Sequence, residues 1–344
     1  MSSVTPTRAH FFERPPRGVD LTEAETDVST RFKERAARFL TEGGWNRYPE
    51  RVPVHASERL ARLLGAVPAR LAATSGCTEA LTCAFLHARD QDLTLHIPVP
   101  SYPGYRRILR AVGGSHCTYD ARTAPQALGE QLSSLPRPET RAVVVGSPGN
   151  PIGPAWTARN LDRLCASGVG LVVLDLTYAL FRPDAEELLG YEDPRVVQCL
   201  SLSKSHALAG ARIGAMLADP ELLRELRGLQ PDFPLDLFQL SVCHAADDPA
   251  FAAESRIRAQ HTLEVTRSLA QVLRAAEGIT VVSDPATNFV TVSVEDEWWN
   301  VLVQAARSGE LRAKVFDQHK LLRVTSTTGN LTAVTALLES RSLG

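Results

Sequence analysis

The chain has 344 residues, of which 44% are hydrophobic and 22% are charged, and its formal net charge is −2. These values are typical of a folded globular protein and exclude a chain that is disordered throughout. So small a net charge provides no basic field for nucleic acid or for an anionic membrane surface. We therefore expect a small-molecule ligand, and neither nucleic acid nor a membrane as a partner.

The first forty residues precede any regular alternation of strands and helices. They contain the pair Pro15-Pro16 and a helical pattern at Thr30–Leu40. We interpret this segment as an arm followed by a helix, both of which pack on another part of the protein.

Strands and helices alternate in the next part of the chain. Strands are predicted at Leu93–Val99, Ala142–Gly146, Leu171–Asp175, Val196–Ser201 and Ile213–Leu217, and helices at Thr78–Arg89, Tyr105–Val112, Thr157–Ser167 and Pro220–Leu229. This alternation predicts a mostly parallel sheet that is covered by helices on both faces.

The last hundred residues show a different pattern, in which a long polar helix precedes strands and shorter helices. Helices are predicted at Pro249–Ala276, Trp298–Arg307 and Leu331–Ser340, and strands at Ile279–Ser283, Phe289–Val294, Arg312–Phe316 and Leu321–Thr325. We predict an α/β fold with a large domain at residues 45–235. Residues 1–44 and 236–344 are predicted to form a smaller α+β domain with an N-terminal arm, and the boundary is expected near Pro231–Leu240.

The six cysteines are scattered singly, without a Cys-x-x-Cys pair or a cysteine–histidine cluster at zinc spacing. We expect buried free thiols and no metal site. The N-terminal segment lacks an apolar stretch of signal-peptide length, and no apolar run approaches the roughly 18 residues of a membrane span. We therefore expect a cytoplasmic location.

Polar side chains follow three successive predicted strands. Asn150 follows the first, Asp175 and Tyr178 lie at the end of the second, and Lys204 follows the third. Open α/β sheets bind their ligands beyond the carboxyl ends of the strands. These four side chains are therefore expected to face a common ligand.

Lys204 is one of only four lysines, whereas the chain has 33 arginines. A lysine amine can lose its proton, attack a carbonyl and form a Schiff base, which an arginine cannot do. Taken alone, the segment also fits a surface lysine beside a solvated arginine. Together with the neighbouring strand ends, it indicates an enzyme that binds pyridoxal phosphate.

The pyridine ring of this cofactor has to accept electrons from the substrate α-carbon, and a carboxylate beside its nitrogen keeps that nitrogen protonated. This is the role predicted for Asp175. Asn150 and Tyr178 are predicted to donate hydrogen bonds to the ring oxygen, which lowers the pKa of the imine. Taken singly, Asn150 also fits an Asn-Pro turn and Asp175 a strand-end cap.

Groups suited to a phosphate monoester lie in two segments. The candidates are Ser201, Ser203 and Arg212 around the lysine, and Gly76, Cys77 and Thr78 at the start of a predicted helix, whose free N–H groups attract anions. Tyr102, in a Pro/Gly turn, is predicted to lay its ring on the pyridine face. The alternatives are an ordinary helix start for Thr78 and a packing role for Tyr102.

These motifs, in this order, resemble the fold-type I pyridoxal-phosphate enzymes, and specifically the class I and II aminotransferases related to histidinol-phosphate aminotransferases. The resemblance extends from about Trp45 to Asn330. The segments that carry it are Asn46-Arg-Tyr-Pro49, Pro100–Tyr105, Asn150–Gly153, Asp175–Tyr178 and Ser203–Gly214.

The resemblance implies a role for each candidate. Lys204 carries the cofactor as an internal aldimine, Tyr102 stacks on the ring, and the other predicted contacts keep the roles given above. The tyrosine that matches Tyr48 reaches the phosphate of the neighbouring subunit, which implies a homodimer with shared active sites. Arg323 matches an arginine that binds the substrate carboxylate with two parallel hydrogen bonds.

The implied reaction moves an amino group between an amino acid, or a related amine, and an oxo acid by ping-pong chemistry. Two departures from the family's sequence pattern leave the type of reaction open. Leu176 and Thr177 stand where the family has an acidic residue and an alanine, and the last strand continues as Thr325-Ser-Thr-Thr-Gly-Asn330. The alternatives are decarboxylation, elimination or cyclisation on the same scaffold, and a noncatalytic paralogue.

Overall fold

Eleven strands form two sheets in the part of the chain that the computed structural model describes, residues 24–283 and 285–342. The strands are β1 (Leu71–Thr74), β2 (Thr94–Val99), β3 (His116–Asp120), β4 (Arg141–Gly146), β5 (Leu171–Asp175), β6 (Val196–Ser201), β7 (Gly214–Leu217), β8 (Ile279–Val281), β9 (Phe289–Val294), β10 (Ala313–Phe316) and β11 (Leu321–Thr325). The predicted Pro15-Pro16 arm lies outside the described residues.

The same residues form twelve α-helices. They are α1 (Thr30–Glu42), α2 (Val54–Leu64), α3 (Gly76–Asp90), α4 (Pro103–Val112), α5 (Pro125–Ser133), α6 (Ala158–Ala166), α7 (Ala185–Leu189), α8 (Pro220–Arg227), α9 (Leu237–Ala246), α10 (Pro249–Arg274), α11 (Asp296–Ser308) and α12 (Thr328–Ser342). No helix within the described ranges combines the length and the apolarity that a membrane crossing requires.

The large sheet has seven strands in the order β1-β7-β6-β5-β4-β2-β3. Its strands run parallel except β7, which is antiparallel to both of its neighbours. In this register Gly146 pairs with Asp175, and Asp175 pairs with Cys199. The carboxyl ends of β4, β5 and β6 therefore lie side by side at one edge of the sheet.

Both faces of the large sheet are covered, and β5 shows how this follows from its sequence. All five of its residues are buried. Val172 and Leu174 lie in the core on one face, whereas Leu171 and Val173 lie in the core on the other. Successive side chains of a strand point to opposite faces, so a strand buried on both faces is apolar without interruption.

The helix α1 packs on α9 at the side of this sheet. The Phe32 and Phe251 rings pack at a tilted angle with centroids 4.5 Å apart, and both residues lie in the same hydrophobic core as Leu174. Leu235 and Val242, from either side of the predicted domain boundary, lie in that core as well. The division of the chain into two domains at residues 235/236 stays a prediction.

The small sheet has the order β10-β11-β9-β8, and all its strand pairs are antiparallel. Helices α10, α11 and α12 contribute to its core, which includes Leu269, Leu302 and Val334. The Thr291 hydroxyl donates to the Pro151 carbonyl at 2.7 Å and joins this sheet to the loop after β4. The predicted fold class, an α/β unit with a mostly parallel sheet and a smaller α+β unit, is confirmed.

Several elements were not predicted from the sequence, namely α2, α5, α7, α9 and β3. The strand β3 forms the edge of the large sheet, and most of its residues are exposed. It therefore lacks the apolar run by which buried strands are recognised. Cys117 lies on this strand and is exposed, so the expectation of buried thiols is wrong for this residue, whereas the other five cysteines are buried and free.

Candidate active site

A cavity of about 450 Å³ opens at the carboxyl ends of β4, β5 and β6 and reaches β10 and β11 of the small sheet. It brings together all but two of the predicted site residues: Cys77, Thr78, Tyr102, Asn150, Asp175, Tyr178, Ser201, Ser203, Lys204, Arg212 and Arg323. The parallel strands position these side chains because their ends meet at the same edge.

Asp175 is the buried acid of the cavity, with 7% of its surface exposed. Its carboxylate accepts a 2.6 Å hydrogen bond from the Tyr105 hydroxyl and a 2.9 Å bond from the Thr177 backbone N–H. The Cys77 thiol lies 3.8 Å away. Burial, and then the nearby Asp175, raise the pKa of this thiol well above its usual value, so the thiol stays protonated.

Tyr105 also lines the cavity, and no role is predicted for it from the sequence. It lies in the first turn of α4, which begins at Pro103, and only 3% of its surface is exposed. Burial, and then the proximity of Asp175, raise the pKa of Tyr105 well above its usual value. The hydroxyl therefore stays protonated and donates a hydrogen bond to the carboxylate. The Tyr102 ring meets the Tyr105 ring edge-on, with centroids 5.6 Å apart.

Asn150 links two other predicted site residues. Its amide nitrogen donates to the Tyr178 hydroxyl at 3.3 Å, and its carbonyl oxygen accepts a 2.8 Å hydrogen bond from Arg323. The Arg323 guanidinium is 4% exposed and lies 5.3 Å from the centroid of the Phe289 ring. Arg323 and Tyr178 therefore share one amide.

The start of α3 approaches the start of β7 closely because Gly76 and Gly214 face each other. A Cβ atom on Gly214 would lie 2.6 Å from the Gly76 carbonyl carbon and 2.7 Å from the Cys77 nitrogen. A Cβ on Gly76, whose φ is +75°, would lie 2.9 Å from the Arg212 guanidinium. Gly76 does not line the cavity itself, but its lack of a side chain leaves room for Arg212, which does line the cavity.

The hydrogen-bond donors at this end of the cavity fit a phosphate group. Within the described residues, the buried Ser203 hydroxyl has no hydrogen-bond partner, and a buried polar group of this kind calls for one. The Ser203 N–H donates to the Ser201 hydroxyl at 3.2 Å. Arg212 and the first turn of α3, with Cys77 and Thr78, face the same space, and both bind anions well.

Lys204 lies in the turn after β6, where it is half-buried and lines the cavity. Lys314, on β10, lines the same cavity and was not singled out from the sequence.

Tyr48 was predicted to bind the cofactor but lies outside the cavity of its own chain. Its side chain is 83% exposed and stacks on Phe233 with centroids 4.8 Å apart.

A sequence model of the family described as aminotransferase class I and II matches residues 18–339. The chain belongs to this family. This confirms the predicted resemblance, the predicted enzyme type, an aminotransferase, and pyridoxal phosphate as the cofactor.

Curated relatives and solved structures agree with this family. The histidinol-phosphate aminotransferase of Chlorobium luteolum is 27% identical over 296 residues, which cover 83% of this chain and 79% of that protein. The histidinol-phosphate aminotransferase of Cronobacter sakazakii is 31% identical over 267 residues, which cover 74% and 72%. The structure of the Sinorhizobium meliloti histidinol-phosphate aminotransferase in complex with pyridoxal-5'-phosphate is similar with a TM-score of 0.76 at 20% identity, and the match covers 94% of this chain and 90% of that one.

We predict that Tyr105→Phe lowers the free energy of unfolding of this aminotransferase by about 1.5–3 kcal/mol, because it removes a hydrogen bond to a buried charged group. Urea unfolding of the cofactor-free protein, followed by tryptophan fluorescence, measures the change. Tyr119→Phe is the matched control, since its hydroxyl donates to the neutral carbonyl of Val144 at 2.7 Å. A smaller loss for Tyr105→Phe than for this control would contradict the prediction.

His206 lies two residues after Lys204, and its Nδ1 is 2.8 Å from the Ser205 hydroxyl oxygen. Burial, and then the positive charge of Arg258, lower the pKa of His206 to about 4. The unfolded chain, in which histidine titrates near pH 6.5, therefore binds more protons than the folded protein between these values. The contribution to stability is complete above pH 6.5 and is lost as the pH falls toward 4.

We expect the free energy of unfolding to decrease by roughly 3 kcal/mol from this group alone between pH 6.5 and 4. His206→Asn keeps a hydrogen-bonding group near Nδ1 and abolishes the titration, so it should flatten this part of the stability profile. Urea unfolding at closely spaced pH values measures it. The exposed His261→Asn serves as the control and should retain the wild-type slope.

Proposed function

We propose that this enzyme transfers an amino group between an amino acid, or a related amine, and an oxo acid, with pyridoxal phosphate attached covalently to Lys204. The observation that carries the proposal is the convergence of Lys204, Asp175 and the Asn150–Tyr178 pair on one cavity at neighbouring strand ends. The family match spans all of these residues.

The assignment of residues to the cofactor rests on the donors and acceptors in the cavity. When bound, pyridoxal phosphate supplies an aldehyde that condenses with amines and a ring that accepts electrons from the substrate α-carbon. Asp175 would hold the ring nitrogen, Asn150 and Tyr178 the ring oxygen, and Tyr102 one face of the ring. The phosphate would be held by the backbone after Gly76 and by Cys77, Thr78, Ser201, Ser203 and Arg212.

In the proposed reaction the protein residues act on the substrate in two ways. Arg323 binds the substrate carboxylate, and its buried position gives that charge-assisted bond more strength than it would have in water. The Lys204 amine, once released, takes the proton from the substrate α-carbon and returns it to the cofactor carbon as a general base and acid. Donor and acceptor use the same cavity in turn, which is the basis of ping-pong kinetics.

Because relatives of this chain include histidinol-phosphate aminotransferases, histidinol phosphate is the first amino donor to test. The alternative, decarboxylation, elimination or cyclisation, is supported by Thr177, which lines the cavity where related enzymes carry an alanine. The two proposals differ in their products, because transamination requires an oxo-acid acceptor and leaves no carbon dioxide.

We also propose a homodimer in which Tyr48 binds the phosphate of the neighbouring subunit. The support is a set of exposed apolar side chains at residues 45–48 and 233–238, of which Tyr48 and Phe233 stack on each other: Trp45 at 74%, Tyr48 at 83%, Phe238 at 47% and Phe233 at 37%. Exposed apolar clusters of this kind mark protein interfaces.

The six free thiols support the expected cytoplasmic location.

Lys204→Arg keeps the positive charge and removes the nucleophilic amine. We expect the variant to lose the visible absorbance of covalently bound cofactor and to lose kcat by at least about 10³-fold. In the wild type, borohydride should fix the cofactor on the peptide that contains residue 204, as mass spectrometry of a digest shows. Stoichiometric oxo product should form from the donor before any acceptor is added.

Lys33→Arg, on the exposed face of α1, is the control and should keep both the label and the turnover. A label on another peptide, or wild-type turnover in Lys204→Arg, would exclude Lys204 as the attachment site. Release of carbon dioxide without an acceptor would favour the alternative reaction.

The shared site predicts that two defective variants restore each other. Tyr48→Phe should weaken cofactor binding by about tenfold, the loss expected for one charge-assisted hydrogen bond. In a heterodimer of Tyr48→Phe with Lys204→Ala, one site combines the intact Lys204 of one subunit with the intact Tyr48 of the other. Equal mixing with exchange of subunits should therefore give wild-type affinity at roughly a quarter of all sites. Titration with pyridoxal phosphate measures this, and no restoration would mean that Tyr48 does not act across the interface.

A further inference from the structure

The phosphate end of the cavity is built from two segments that are far apart in the sequence. One is the first turn of α3, with Cys77 and Thr78, and the other is Arg212, in the loop between β6 and β7. Gln239, on α9, contacts both segments from behind the cavity wall. Its amide nitrogen donates hydrogen bonds to the Ser75 hydroxyl and to the Arg212 carbonyl, each at 2.9 Å. Because Gln239 is only 6% exposed, the two segments are connected through one buried amide.

The backbone of Arg212 has an unfavourable conformation, which such a contact can stabilise. Its φ and ψ are +54° and +50°, in the left-handed region that residues with a side chain rarely adopt. In this conformation the guanidinium lies so close to Gly76 that a Cβ atom there would be 2.9 Å from it. A rotation of the backbone would turn the Arg212 carbonyl away from the Gln239 amide. The hydrogen bond therefore favours the conformation that brings the guanidinium to the start of α3.

The Gln239 side chain is itself held in one orientation. Its oxygen accepts a 2.9 Å hydrogen bond from the Asp236 N–H, and the Gln239 N–H donates to the Asp236 carboxylate at 2.7 Å. This reciprocal pair caps the N-terminus of α9. A side-chain amide has two N–H donors, and both are used here. A buried amide whose oxygen and nitrogen are both engaged has little freedom to rotate.

Ser75 extends this connection to the start of α3. It is the residue before the helix, and its N–H donates to the Glu79 carboxylate at 2.5 Å. Gln230 donates to the other oxygen of that carboxylate at 2.9 Å and to the Ala73 carbonyl at 3.1 Å. The free N–H groups of the first turn are thus held from outside the cavity, and the shared amide fixes their position relative to Arg212.

We propose that Gln239 is a positioning residue for the cofactor phosphate, because it holds Arg212 and the first turn of α3 in the arrangement that binds the phosphate group. The inference rests on the proposed function for the assignment of these groups to the phosphate. It adds a residue that lies outside the cavity and acts through the Arg212 backbone and the Ser75 hydroxyl.

Gln239→Glu tests this role, since it exchanges the two donors for an acceptor at nearly constant size. A carboxylate can still accept from the Asp236 N–H, so the cap of α9 is retained. It cannot donate to the Arg212 carbonyl, and its second oxygen would repel that carbonyl oxygen. We therefore expect the variant to fold and to lose the position of Arg212. Measurement at pH 8 favours the ionised form of the new side chain.

The ratio of the affinities for pyridoxal phosphate and pyridoxal isolates the phosphate, because the two compounds share the ring and the aldehyde. The wild type should bind pyridoxal phosphate at least about a hundredfold more tightly than pyridoxal. Gln239→Glu should narrow this ratio by about tenfold or more, mainly through weaker binding of pyridoxal phosphate. Absorbance titration of protein from which the cofactor has been removed measures both affinities. An unchanged ratio would overturn the proposal.

Asn160→Asp is the matched control. It makes the same change from amide to carboxylate in the capping box that begins α6, away from the cavity, and should leave the ratio unchanged. A role of Gln239 in stability alone would lower the free energy of unfolding without changing the ratio, because both ligands would be affected equally.

A second substitution tests whether Gln239 acts through Arg212. In an Arg212→Ala background, Gln239→Glu should change the ratio by less than about threefold, because the group that it positions is already absent. The same loss in both backgrounds would overturn the proposal.

Ser75→Ala removes one acceptor of the Gln239 amide and leaves α9 intact. It should narrow the ratio by about threefold or more, and it decides the question if Gln239→Glu fails to fold. If the wild type shows no preference for pyridoxal phosphate over pyridoxal, the proposed phosphate site is wrong, and this inference with it. If the wild type has the preference but both Gln239→Glu and Ser75→Ala retain it in full, only the role of Gln239 is excluded.

Discussion

Burying a carboxyl group is costly unless hydrogen-bond donors replace the water that it loses, and Asp175 is buried at the end of the central strand β5. Tyr105 and the Thr177 N–H supply those donors. This requirement brings α4, which carries Tyr105, and the turn after β5, which carries Thr177, against the carboxylate. A carboxylate held in this way offers a cationic ring nitrogen an oriented partner.

Much of the site was predictable because it depends on local sequence patterns. A polar residue such as Asn150, Asp175 or Lys204 at or shortly after the end of an apolar run indicates a buried strand and the edge of the sheet at which that strand ends. Parallel strands bring such ends together. The fold class was predictable for the same reason. The α/β alternation and the later α+β pattern are properties of short segments.

The remainder depends on contacts between distant segments. Tyr105 meets Asp175 across 70 positions of sequence, and the pairing of Lys314 with Arg323 depends on the register of two strands in the small sheet. The edge strand β3 is mostly exposed and lacks the apolar run that marks its buried neighbours. Tyr48 lies outside the cavity of its own chain. A local sequence pattern cannot show whether this residue contacts a second chain.

The reversed direction of β7 has a consequence for how the enzyme handles its ligands. Because β7 returns beside β6, Lys204 and Arg212 both belong to the single loop between these strands, whereas Lys314 and Arg323 belong to the small sheet. A displacement of the small sheet would open its end of the cavity while leaving Lys204 and Arg212, the proposed anchors of the coenzyme, unmoved. In the proposed reaction two reactants use the cavity in turn, and this separation would let each of them enter and leave without moving the residues proposed to hold the coenzyme.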